Sequence, residues 1–113
     1  MRRPREYLGQ LELMVLLAVT SLEDGKAYGV RISKCIEEAS GREVALASVY
    51  VALERLERKG LITSTLGEPT PERGGRARTY FKPTAPGLKE ARAAYRTLTR
   101  LSGGLAGWKG SLA

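Results

Sequence analysis

The spacing of the apolar residues changes at Gly60, from a helical pattern before it to a strand pattern after it. Residues 61–66 are rich in β-branched side chains and predict a strand, and residues 78–82 predict its partner. The segment between them contains glycines and prolines, which cannot comfortably continue a strand. The sequence therefore predicts a β-hairpin with a long tip, placed after a helical region.

Three helices are predicted before this hairpin, because apolar residues recur there at helical spacing. They run from Leu8 to Leu22, from Tyr28 to Ala39 and from Leu46 to Lys59. The first has an unusually wide apolar arc, which indicates that it is covered on several sides. A fourth helix is predicted from about Ala85 to Leu101, with Thr84 as its N-cap.

This order of elements predicts a mainly α protein with a small β-hairpin (α+β), arranged as a winged helix-turn-helix. A length of 113 residues makes one compact unit the default expectation. We expect residues 1–83 to form the winged helix-turn-helix domain and residues 84–102 to form a C-terminal dimerisation helix. Residues 103–113 are rich in glycine, so we expect a flexible tail there.

Positive charge is concentrated in the second half of the chain. The net charge is +7 overall, and residues 61–113 carry nine Lys or Arg against three acidic residues. Such a basic surface favours a polyanionic partner. A solvated basic face that serves only solubility is the alternative.

Composition argues against several other classes of protein. Without histidine, and with Cys35 as the single cysteine, neither a structural metal site nor an internal disulfide is expected. We find no nucleophile-elbow or phosphate-cradling motif, so we expect no enzyme and no cofactor. The longest apolar run, Leu13 to Val19, is too short for a membrane span, and no signal-peptide pattern follows the basic N-terminus. We therefore expect a soluble cytoplasmic protein. Cys35 is expected to be a small buried hydrophobe, with a redox switch as the alternative.

The third predicted helix has the character of a helix that enters the major groove of DNA. It presents an apolar face for the domain and a small or polar face outward, which both packing and base contact require. Ala47, Ser48 and Val51 allow close approach, and Arg55 can reach phosphates or guanine edges. An ordinary amphipathic helix with a solvated face is the alternative.

The predicted hairpin strengthens the DNA interpretation. It carries four positive charges between Arg73 and Lys82 with no acidic residue among them, and its glycines let the backbone approach phosphate. A flexible solvated loop is the alternative. Tyr28 could contact phosphate through its amide and hydroxyl, or could simply pack. The candidate DNA-binding residues are Tyr28, Lys34, Ala47, Ser48, Tyr50, Val51, Arg55, Arg73, Arg76, Arg78 and Lys82.

The last helix is a candidate dimer element because its apolar stripe can form a seam between two helices. The first helix also has more apolar surface than one domain needs, which favours a homodimer, although both stripes could pack within the chain. A dimer would place two recognition helices on successive turns of one DNA face. The candidate interface residues are Leu8, Leu11, Val15, Leu88, Ala91, Tyr95, Leu98 and Leu101.

Across about residues 8–101, the chain resembles the PadR family of transcriptional regulators, especially its short members. The likeness lies in the Tyr-Gly pair that opens the second helix, the recognition helix with its exit, the Gly-Arg-rich wing with paired aromatics, and the turn into the last helix. The Tyr-Gly pair lies in Tyr28-Gly29-Val30, and the wing with its aromatics runs from Gly74 to Phe81. The recognition helix contributes Ser48-Val49-Tyr50 with Leu53, Arg55, Leu56 and Glu57, and its exit is Lys59-Gly60-Leu61-Ile62. The turn into the last helix is Thr84-Ala85-Pro86-Gly87.

The resemblance implies a cytoplasmic homodimer that represses genes from a palindromic operator in double-stranded DNA and is released by a small-molecule effector. It also implies that Tyr28, Ser48, Tyr50, Arg76 and Arg78 face DNA. In drug-sensing short members, the effector enters between the subunits and meets a tryptophan of the last helix. Here Leu98 takes that place. The candidate effector-binding residues are Leu11, Met14, Ala94 and Leu98, for which a dry dimer core is the alternative.

Two other functions are compatible with the predicted fold. A winged helix can serve as a protein-interaction module without specific DNA binding. Such a module would favour an apolar or acidic third helix and a wing without arginines, and this sequence has the reverse. An RNA-binding domain usually offers stacking aromatics on a sheet, and only Tyr80 and Phe81 lie on a predicted strand.

Overall fold

A computed structural model of the chain describes residues 8–69, 71, 74 and 77–106, with side chains up to residue 103. It confirms the predicted fold class and the predicted order of elements. The elements are α1 (Gln10–Ser21), α2 (Gly29–Ser40), α3 (Leu46–Arg58), β1 (Ile62–Leu66), β2 (Thr79–Pro83) and α4 (Ala85–Ala106).

The core lies among α1, α2 and α3 and is closed on one side by the hairpin and the start of α4. Its largest members, Leu16, Ile32, Leu53 and Leu56, are at most 1% exposed. The wide apolar arc of α1 is explained by this arrangement, since α1 packs against α2, α3, α4 and β2. The helix is covered on several sides, as the sequence predicts.

The hairpin pairs β1 with β2 in antiparallel register, from Ile62 opposite Pro83 to Leu66 opposite Thr79. Within the described residues, the two strands reach the core through Ile62 and Phe81. The backbone N–H of Phe81 also donates to the carbonyl of Ala27 over 2.8 Å, which forms a single bridge outside the two strands. This bridge was not predicted, and it ties the segment before α2 to the hairpin.

A compact junction joins the end of α3, the start of β1 and the start of α4. The Thr84 hydroxyl accepts from the N–H of Gly87 over 3.0 Å, as expected of an N-cap, and donates to the Gly60 carbonyl over 2.7 Å. Gly87 lies directly against the Leu61 carbonyl, where a β-carbon would overlap it. Glycine at this position therefore permits the close approach of α4 to the hairpin.

Helix α4 is longer than predicted. It continues past Leu101 to Ala106, so the predicted flexible tail from residue 103 is corrected over its first four residues. Extending an existing helix fixes one residue for each new backbone bond, and glycine costs only about 1 kcal/mol relative to alanine. Residues 107–113, with Trp108, lie outside the described residues.

Candidate nucleic-acid interface

Helix α3 divides into a buried face and a face that is open to solvent. Val49, Ala52, Leu53 and Leu56 are buried in the core and hold the helix in place. The open face of its first two turns is formed by Leu46, Ala47, Ser48, Tyr50 and Val51. Both Tyr50 and Val51 are 47% exposed, so their side chains are accessible to a partner. The five exposed residues include all the α3 candidates except Arg55.

The charged residues of α3 lie beyond these turns, and its two arginines both have carboxylate partners. Arg58 donates to Glu54 one helical turn earlier over 3.1 Å. A nitrogen of Arg55 lies 3.8 Å from a carboxylate oxygen of Glu12 on α1. The cationic charge at this end of α3 is therefore partly neutralised within the protein.

Glu12 is a residue that the sequence interpretation missed. Its side chain is only 12% exposed, and its carboxylate accepts from the Lys59 ammonium over 2.7 Å. It thereby links α1 to the end of α3. Glu12 also lies in an open groove of about 400 Å³ between the start of α1 and the open face of α3. This groove brings together Leu11, Ala47, Ser48, Val51 and Arg55.

Tyr28 lies at the start of α2 and packs against the hairpin. Its ring meets Tyr80 edge-on, with 6.0 Å between ring centroids, and the Arg78 guanidinium lies 3.8 Å above it. The cation–π contact stabilises the Arg78 side chain where the tip of the wing joins β2. The Tyr28 ring therefore packs within the protein, and a contact from its amide or hydroxyl to phosphate stays a prediction. Arg78 donates no hydrogen bond to the described part of the chain, and its Nε is buried without a partner.

Gly29 connects the start of α2 to α3. A β-carbon on Gly29 would overlap the far end of the Tyr50 ring, so the absence of a side chain lets that ring lie against the helix start. The Tyr-Gly pair thus has two structural tasks: Tyr28 supports Arg78, and Gly29 accommodates Tyr50. Together these contacts join α2, α3 and the wing into one surface.

The turn before α2 is held by Asp24. Its carboxylate accepts from the Lys26 N–H over 3.0 Å and from Arg31 on α2 over 2.9 and 2.8 Å. The hydrogen bond from Arg31 is the main reason that the pKa of Asp24 lies below its ordinary value, and the bond from Lys26 lowers it further. This anchor fixes the segment that leads into Tyr28.

Of the four remaining basic candidates, two lie among the described residues and two lie outside them. Lys34 on α2 and Lys82 on β2 are exposed, and within residues 8–69 and 77–103 neither has a carboxylate partner. Arg73 and Arg76 lie outside the described residues. The described part of the wing thus offers cations that are free of acidic partners.

The predicted dimer residues separate into surface and core. Tyr95, Leu98 and Leu101 form a stripe on α4 and are 67%, 48% and 68% exposed. Leu8, Leu11 and Leu88 are half-buried. Val15 is 0% and Ala91 4% exposed, so these two are core residues of the protomer and their placement in the interface is corrected.

The four predicted effector residues do not meet in the protomer. Ala94 and Leu98 line a groove of about 190 Å³ between α1 and α4. Leu11 lies in the groove beside α3, and Met14 lines a third groove between α1 and α2. Cys35 shares that third groove and is half-buried rather than buried.

No helix in the described ranges is long and apolar enough to cross a membrane.

Comparison with known proteins places these features in a family context. The family profile described as "Transcriptional regulator PadR-like family" matches residues 16–93. A curated protein of Streptomyces fradiae, described as an uncharacterized 37.1 kDa protein in transposon TN4556, is 34% identical over 88 residues. That match covers 78% of this chain and 24% of the relative, so the chain spans about a quarter of the relative's length.

Solved structures share the fold at low sequence identity. A Streptococcus transcriptional regulator superposes with a TM-score of 0.69 at 24% identity, covering 88% of this chain and 92% of that one. A PadR-like transcriptional regulator from Bacillus cereus gives a TM-score of 0.70 at 23% identity, covering 85% and 87%. These similarities support the winged-helix fold.

Proposed function

The chain belongs to the PadR-like family of transcriptional regulators, and we propose that it binds a specific sequence in double-stranded DNA as a homodimer. The observation that carries the proposal is the continuous surface formed by α3, the start of α2 and the wing. On it, Tyr50 of the exposed α3 face lies against Gly29 at the start of α2, and the neighbouring Tyr28 ring contacts Arg78, which has no acidic partner among the described residues. Lys82 is exposed on β2 of the wing and likewise has none among them. In this proposal α3 enters the major groove and the wing cations contact phosphates.

The homodimer is proposed from the exposed stripe of α4. Tyr95, Leu98 and Leu101 present large apolar side chains to solvent, and a second copy of α4 and α1 would cover them. Two-fold symmetry suits a palindromic operator, and binding to successive turns of DNA would require the two α3 helices to lie about 34 Å apart. The proposed interface uses the stripe with Leu8 and Leu88, and omits Val15 and Ala91.

We also propose that the protein acts in the cytoplasm as a repressor and that a small molecule releases it. The groove between α1 and α4 supports this, because it is mainly apolar and contains Ala94 and Leu98. Its 190 Å³ in one protomer is below the roughly 300 Å³ of an ordinary ligand pocket, so a second subunit would have to complete it. With Leu98 in place of an aromatic residue, we expect an apolar ligand rather than stacking of a flat ring.

Selection of bound fragments from the host's DNA with the purified protein tests the proposal directly. We expect enrichment of a palindromic site whose affinity falls steeply as salt is raised. A reporter gene placed behind that site should be repressed when the protein is expressed. If no fragment is enriched at moderate salt, the protein-interaction alternative replaces DNA binding.

A further inference from the structure

The open face of α3 lacks the side chains that hydrogen-bond purines in the major groove. Adenine is held by Asn or Gln, and guanine by Arg or Lys. The whole chain contains no asparagine and a single glutamine, Gln10, which lies at the start of α1. Between Leu46 and Glu54, α3 contains neither arginine nor lysine. Adenine therefore has no bidentate partner on this helix.

The arginines further along α3 lie beyond the first two turns, and each lies near a carboxylate. Arg58 is paired with Glu54, and Arg55 lies near the largely buried carboxylate of Glu12. A contact from either arginine to guanine would compete with a pair that already exists. Direct recognition by the first two turns is thus left to hydroxyl and apolar groups.

The apolar groups are placed where a base edge could meet them. Val51 is 47% exposed, Ala47 lies one turn before it, and both line the groove beside Leu11. In the major groove, the apolar group that distinguishes one base from the others is the C5-methyl of thymine. Small aliphatic side chains on a rigid helix suit that methyl group in size and polarity.

On the premise that the chain binds DNA as proposed above, we infer that α3 recognises thymine methyl groups through Ala47 and Val51. A·T pairs in the operator are then recognised from their thymine side and not from adenine. The part of the specificity that comes from Ala47 and Val51 rests on apolar contact, while the wing supplies affinity that does not depend on sequence.

Replacing thymine by deoxyuridine in the selected operator isolates this contact, because uracil lacks only the methyl group. The thymines of a half-site are replaced one position at a time, and each replacement is made at the equivalent position of both half-sites. The affinity of the protein for each operator is then measured at fixed salt. We expect at least one position at which binding weakens about three- to fivefold per half-site, the effect of one buried methyl group. Substitutions outside the half-sites should leave the affinity unchanged.

Three protein variants assign the contact to α3. Val51→Ala and Ala47→Gly should each reduce the penalty for uracil, because part of the apolar partner is gone. Lys82→Ala is the matched control: it should weaken binding to thymine and uracil operators by the same factor and keep the penalty intact. Circular dichroism melting verifies that all three variants fold, as expected for changes at exposed positions.

The outcomes separate the inference from its premise. If a specific site is selected and every uracil substitution is neutral, recognition of thymine methyls is wrong and DNA binding stands. If a penalty exists but is unchanged in both Val51→Ala and Ala47→Gly, the contact does not belong to these residues and the inference fails. If no site is selected, the proposed function fails and the inference fails with it.

Discussion

Helix α3 and the hairpin belong to the same proposed DNA surface, but they are anchored and charged in opposite ways. The helix is fixed by four buried side chains, whereas the described residues of the two strands reach the core through two, Ile62 and Phe81. Both arginines of α3 have carboxylate partners, whereas Arg78 and Lys82 have none in the described part of the chain. The more firmly anchored element, α3, is therefore also the one whose arginines have carboxylate partners within the protein.

This contrast suggests how recognition and attraction are divided. Base contacts need fixed positions, because a small misplacement loses a hydrogen bond or a methyl contact. Phosphate contacts are longer in range and tolerate adjustment, since the duplex presents charge along its whole length. A helix with internal ion pairs and a wing without them can therefore carry the two tasks separately.

The largest expected effect concerns anchoring. Leu56→Ala, which empties a fully buried site under α3, should lower the free energy of unfolding by about 2–5 kcal/mol. The same change at Leu66 on β1, 74% exposed, should cost less than about 0.5 kcal/mol. Urea denaturation of both variants measures the difference. Equal losses would show that the hairpin is anchored as firmly as the helix.

The next effect concerns charge in the wing. Arg78→Ala should weaken binding to the selected operator about tenfold and reduce the salt slope by about 0.9, the share of one phosphate. Arg58→Ala, which removes a cation already paired with Glu54, should change affinity less than about twofold. Fluorescence anisotropy across a salt series gives both quantities. Arg78→Lys controls for packing on Tyr28, because it should retain the slope.

A smaller effect concerns the contact between α2 and α3. Gly29→Ala should push the Tyr50 ring outward and weaken DNA binding about fivefold, while stability changes by less than about 1 kcal/mol, since the end of that side chain can move. Gly103→Ala, where a β-carbon meets nothing within 4 Å, is the control and should leave DNA binding unchanged. A fully retained affinity in Gly29→Ala would remove Tyr50 from the proposed surface.

The smallest effect concerns neutralisation at the end of α3. Glu12→Gln removes the carboxylate that faces Lys59 and Arg55, so the salt slope should steepen by about 0.9 for each cation that gains a phosphate. The ratio of specific to non-specific affinity should fall, because the added attraction ignores sequence. Glu54→Gln frees Arg58 from a largely exposed pair and should have a weaker effect. An unchanged slope in Glu12→Gln would mean that these cations lie outside the reach of phosphate.

Sequence patterns predicted the helices and strands well because each pattern depends on residues that are only a few positions apart. The start of α3 at Leu46, the strand after Gly60 and the Thr84 cap all follow from short-range spacing or capping chemistry. The end of α4 was missed, since a helix that is already formed can pass through glycines that would not start one.

The candidate site was less predictable because its decisive contacts join distant parts of the chain. Glu12 and Lys59 are 47 positions apart, and no periodicity connects them. Val15 and Ala91 fitted an apolar stripe, but spacing alone cannot say whether a stripe meets its own domain or a partner. The overlap between Gly29 and the Tyr50 ring likewise depends on how α2 crosses α3, which only the folded chain reveals.

The close approach of Gly87 to the Leu61 carbonyl fixes where α4 leaves the hairpin. The helix extends about 30 Å from Gly87 to Ala106, so a change of about 6° in its direction at Gly87 would displace its far end by about 3 Å. A larger residue at Gly87 would have to move either α4 or the Leu61 carbonyl, and would thereby change the angle between α4 and the hairpin.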